Sequence, residues 1–124
     1  MQRVLVIVAA SVLVLHGLIH LIGTAAYLKV ASVAGIPYKT TVLNGRWDVG
    51  ANGIRVFGMF WALAAIGFVA GAVGLMARLP WWRSVLLSVA ELSLVLTALD
   101  WNVAFAGVGV NLVILALLLI GSLR

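Results

Sequence analysis

This chain of 124 residues has no cysteine. Disulfides, thiolate metal ligands, paired-cysteine redox motifs and cysteine nucleophiles are therefore excluded. Acidic residues are nearly as scarce: Asp48, Glu91 and Asp100 stand against eight lysines and arginines, a formal net charge of +5. Charged residues of both signs make up 9% of the chain and hydrophobic ones 65%, with a mean hydropathy of +1.26. A soluble domain of this length could not bury so much apolar surface, so an integral membrane protein is the expected class. Ser-His-Asp patterns, glycine-rich phosphate loops, nucleotide motifs and internal repeats are also lacking. With no repeat, an inverted-repeat transporter has no support.

What is present is organised by length. Four apolar runs, at about 3–29, 54–78, 81–101 and 106–123, each have roughly the 17–25 residues that cross a hydrocarbon core as a helix. The first is too long for a signal peptide and no cleavage site follows, so it reads as a retained span. Pro80 stops one helix and opens the next. The turn around residues 101–105 is also short. Short turns force antiparallel neighbours. The expected fold is thus a single all-α membrane domain, a four-transmembrane-helix antiparallel bundle with a longer first loop on the outer side. That loop, 30–53, carries Asn44-Gly45 between two β-friendly stretches, 38–43 and 46–49, and predicts a short hairpin. Asn52 is the expected N-cap of the second helix.

Arg3, Arg78, Arg83 and Arg124 fall at one end of such a bundle; Lys29, Lys39, Arg46 and Arg55 fall at the other. Most of these cations flank apolar runs, as headgroup anchors do, so the lipid bilayer is the expected partner and no nucleic acid is implied. The charge bias favours a multi-pass protein of the plasma (inner) membrane with both termini cytoplasmic. Gly67-x-x-x-Gly71 gives the second span a small-residue surface for close packing, within the chain or in a homodimer.

The polar residues inside the runs are the candidate site. His16 and His20 are four apart on one helix face, with Thr24 and Tyr27 beyond them. Intramembrane titratable groups are costly and mark sites by default. Glu91 lies near the depth of His16, and Asp100 nearer His20 or Thr24. If these faces converge, they form a pocket open toward the long loop. His16, His20 and Glu91 are its expected catalytic groups, transferring protons or serving as a neutral hydrogen-bonding acid. Thr24, Tyr27, Trp47, Asp48, Arg55, Asp100, Trp101, Asn102 and Asn111 are its expected ligand-binding groups. Arg55 would pair with Asp48 or Asp100, and Trp47, Trp61 and Trp101 would line the mouth. Ser84, Ser88, Ser93 and Thr97 are expected to satisfy backbone carbonyls.

The two histidines, about 6 Å apart along one helix axis, cannot sandwich a haem. Their i, i+4 spacing suits a divalent metal if Glu91 or Asp100 adds a third ligand, but Gly17 stands where the metalloprotease helix has its glutamate. Haem held by a single histidine, or shared across a dimer, stays open, and the residues assign no particular cofactor. Acid–base chemistry on a quinone- or lipid-like molecule fits the groups present. Small multidrug exporters share carboxylates across a dimer, but theirs lie in the first helix, whereas Glu91 is in the third.

The first helix, His16-Gly17-Leu18-Ile19-His20-Leu21-Ile22-Gly23, with the longer first loop and two tight later turns, resembles the DoxX-like small four-helix membrane proteins. Some of these are linked to quinone-coupled sulfur oxidation or redox-defence complexes. The resemblance implies a quinone-facing or accessory redox role and carries over no catalytic residue. The expected function is therefore a small membrane protein whose intramembrane polar pocket binds or processes a small apolar molecule. The alternatives are a non-catalytic accessory subunit of a larger membrane complex and a proton-coupled transporter acting as a dimer.

Overall fold

The computed structural model describes residues 1–121. Four helices account for most of them: α1 (Gln2–Tyr27), α2 (Gly50–Met76), α3 (Trp82–Leu99) and α4 (Trp101–Leu119). Each is long and apolar enough to cross a membrane. The expected end of the fourth span at Leu123, and Arg124, lie outside the described residues.

Contacts set the register of the bundle. Gly17, Gly23 and Tyr27 of α1 meet Phe68, Trp61 and Gly58 of α2 in that order, so the pair is antiparallel. Gly67 and Gly71 lie against Val89 and Leu86 of α3, and Thr97 lies against Gly107 of α4. These are antiparallel pairs too. At Gly17 and Gly23 a β-carbon would sit 2.9 Å from Phe68 Cβ and 2.7 Å from the Trp61 ring. The missing side chains are what let the two helices close around bulky aromatics. The Gly67-x-x-x-Gly71 surface is likewise used inside the chain, on α3.

Observed helix ends depart from expectation by a few residues. α1 and α2 stop at Tyr27 and Met76, before Lys29 and Arg78, which take left-handed φ of 56° and 55°. Val30 N–H then reaches Ala25 O, and Leu79 N–H reaches Gly74 O, closing off the last carbonyls. α2 begins at Gly50, four residues ahead of the expected start. Its first amide donates to Asp48 Oδ1 at 2.9 Å. Asp48, not Asn52, therefore serves the helix start, because the chain turns into the helix earlier than the apolar run begins. Between α3 and α4 the break is tighter than the expected five-residue turn: Asp100 leaves helical geometry, and Ala104 breaks it again (φ −124°, ψ 17°).

The long loop carries the expected hairpin in short form. β1 (Thr41–Val42) pairs antiparallel with β2 (Trp47–Asp48), Val42 opposite Trp47. Asn44 and Gly45 have φ of 58° and 82°, and Arg46 N–H closes the turn on Leu43 O. Both residue types tolerate that region of the map. Leu43 N–H donates to Leu99 O at 2.8 Å, and Val42 is buried. The hairpin is thus pinned over the end of α3.

Candidate functional site

Polar side chains of α1, α3 and α4 meet near the middle of the bundle and close into a ring. His20 Nδ1 lies 2.8 Å from His16 O, which can only accept, so Nδ1 carries the proton. In the neutral imidazole Nε2 then accepts, and Ser93 Oγ–H donates to it at 2.6 Å. The Ser93 oxygen in turn accepts from Asn111 Nδ2 at 2.8 Å. That turns Asn111 Oδ1 toward His16 Nε2, which donates at 3.0 Å. Each direction forces the next, so both tautomers and the amide orientation follow from one carbonyl. The second Asn111 N–H reaches Thr97 Oγ1 at 3.3 Å, and Thr97 donates onward to Ser93 O at 2.8 Å. Thr24 donates to His20 O.

Apolar walls seal this ring. Phe68 of α2 stacks edge-on to His16, with ring centroids 4.8 Å apart, and is fully buried. Trp61 covers His20 with centroids 5.1 Å apart. Trp61 is buried rather than at a pocket mouth, because Gly23 leaves a seat for its indole. Its Nε1–H is buried with no hydrogen-bond partner among the described residues.

A second polar cluster caps the loop end. Asp100 is 2% exposed and takes a hydrogen bond from the Tyr27 hydroxyl and an ion pair from Lys39 at 2.5 Å. Arg55, the expected partner of Asp48 or Asp100, is exposed and makes neither bond. Lys39 takes its place because the loop folds back over α3, bringing the lysine down onto the carboxylate. Tyr27 and His20 are seven residues apart on α1, so the two clusters are separated by roughly 10 Å along the bundle.

The expected site therefore divides. His16, His20 and Asn111 join the ring, and partly buried Thr24 only bonds the His20 carbonyl on its own helix; Tyr27 and Asp100 join the loop-end cluster. Trp47, Asp48, Trp101 and Asn102 are exposed near the loop end. Glu91 is exposed on the outer side of α3, away from both histidines. It supplies no third ligand to them, and among the described residues no three His, Asp or Glu side chains gather as a metal site. The expected convergence on an open pocket fails because Ser93, not Glu91, is the α3 residue that meets α1, while Thr97 lies against α4. Two partners differ from expectation: Ser93, expected to satisfy a backbone carbonyl, donates to His20 instead, and Lys39 rather than Arg55 pairs with Asp100. Helical spacing alone placed Ser93 and Thr97 on a different face from Glu91 and could have found the first of them.

Two surface grooves lie elsewhere. One, of about 450 Å³, is folded into the loop beside Lys29 and Tyr38. The other, of about 370 Å³, runs between α2 and α3 and is walled by Leu63, Gly67, Val89 and Leu92, with Ser84 and Ser88 in its lining. No protein-family model, curated protein or solved structure matches the chain.

Proposed function

We propose that this chain is a multi-pass protein of the plasma (inner) membrane, with both termini cytoplasmic, that binds a small quinone- or lipid-like molecule in the α2/α3 groove. The observation that carries this reading is the outer face of α3. Ser84, Ser88 and Glu91 follow one another there at helical spacing, all exposed, beside an apolar groove of about 370 Å³. A carboxyl facing hydrocarbon at mid-helix costs about 2.5–3.5 kcal/mol on insertion scales, so a polar headpiece set against it would be retained. The resemblance of the first helix to DoxX-like proteins is the ground for a quinone-like ligand. His16 and His20 serve packing: their ring nitrogens are largely engaged within the chain. Placement of Arg3, Arg78 and Arg83 at the end without acids supports the orientation, since Lys39 at the other end is engaged by Asp100.

The test is extraction and mass spectrometry of protein purified in mild detergent. Wild type should carry a stoichiometric quinone- or lipid-like molecule, and Ser88→Leu or Glu91→Gln should lose it. Equal retention in both variants overturns the reading. The accessory-subunit reading has its own support in α4, whose spanning window is 11% buried against 28–44% for the others. An empty groove, with recovery only in a stoichiometric complex, would favour that reading.

A further inference from the structure

The loop-end groove has a chemical character of its own. It is lined by Ala26 at the end of α1 and by Lys29, Ser32, Val33, Ile36 and Tyr38, with no carboxylate in its lining. Lys29 Nζ rests 4.2 Å above the centre of the Tyr38 ring. That cation–π contact holds the ammonium at the groove without neutralising it. No acidic residue pairs with Lys29 among the described residues; the ion pair at this end belongs to Lys39 and Asp100. The Ser32 hydroxyl and amide make no hydrogen bond within the described chain. The groove thus offers an unneutralised cation, two idle donors and an apolar floor.

Its depth is set by the chain. α1 stops at Tyr27, and Lys29 is the first charged residue after the apolar run. In a bilayer such a lysine stands at the headgroup layer, where lipid phosphates lie. From these features we infer that the groove binds the phosphate of a phospholipid headgroup. The ammonium and the Ser32 donors meet the phosphate, and Val33 and Ile36 contact the glycerol and first acyl carbons. This site is separate from the α2/α3 groove and rests on the membrane reading alone.

The experiment is native mass spectrometry of the full chain released from detergent with one added species at a time: phosphatidylglycerol, diacylglycerol or inorganic phosphate. Flotation with lipid vesicles is run first, so that failure to insert is read as failure of the membrane reading and not of this site. The expected result is retention of one phosphatidylglycerol, weakened about fivefold in Lys29→Ala, restored in Lys29→Arg and unchanged in Arg3→Ala at the opposite end. Diacylglycerol should be retained more weakly than the phospholipid. Equal retention of diacylglycerol, or full retention in Lys29→Ala, overturns the inference. Retention of inorganic phosphate without phosphatidylglycerol assigns the site to a free anion and overturns the lipid source.

Discussion

Ser93 links three helices through one oxygen, donating a hydrogen bond to His20 Nε2 and accepting one from Asn111 Nδ2. Ser93→Ala strands both partners in an apolar interior, where an unmade hydrogen bond costs roughly 1–3 kcal/mol. Unfolding in mixed micelles should show a loss of that size, and an unchanged midpoint would mean that the ring does not hold the bundle. Trp61 presents the opposite case. Its indole N–H is already unpartnered, so Trp61→Phe removes a buried polar group while keeping the aromatic wall over His20. We expect Trp61→Phe within about 1 kcal/mol of wild type but Trp61→Ala lower by about 3–5 kcal/mol. Equal damage from both would show that the N–H has a partner. The histidines were conspicuous in the sequence because titratable groups stand out in an apolar run. Their partners Ser93 and Asn111 are short hydroxyl and amide side chains distant in sequence, and helical spacing shows which face each takes but not that these faces meet the histidines.

Between elements, the α1/α2 seam depends on absence of bulk. A β-carbon at Gly23 would sit 2.7 Å from the Trp61 ring, so Gly23→Val must push α2 away or displace the indole. Overpacking of this kind costs typically 1–3 kcal/mol. Lower stability, together with a red-shifted tryptophan emission, is the expected outcome for Gly23→Val; a neutral result would place the helices farther apart. The spans were legible because length and hydropathy alone define a membrane-length helix. Their ends were less so. Lys29 and Arg78 occupy left-handed positions usually given to glycine, and Asp48 rather than Asn52 accepts the first α2 amide. Such endings depend on where the loop chain must go next, which an apolar run does not record.

At the scale of the molecule, the lack of native cysteine makes orientation directly measurable. Single cysteines at Asn44→Cys, in the hairpin turn, and Ala77→Cys, between α2 and α3, should sit on opposite faces of the membrane. An impermeant thiol reagent applied to intact cells should label Asn44→Cys and leave Ala77→Cys unlabelled until permeabilisation. The reverse pattern inverts the proposed orientation, and labelling of both excludes four spans.

The order of residues by itself determined the four long apolar helices, their antiparallel order and the small hairpin at Asn44-Gly45. Those follow from quantities local in sequence: the length of an apolar run, a proline, a turn dipeptide. Tertiary structure alone decided which polar groups meet. Rotating α3 by one face exchanges Glu91 for Ser93 opposite His20, and folding the loop exchanges Arg55 for Lys39 beside Asp100. The rotation is set by how Gly67 and Gly71 seat Val89 and Leu86, and the loop by the bond between Leu43 and Leu99. Both are contacts between residues far apart in the chain, and their outcome appears only once the helices are packed.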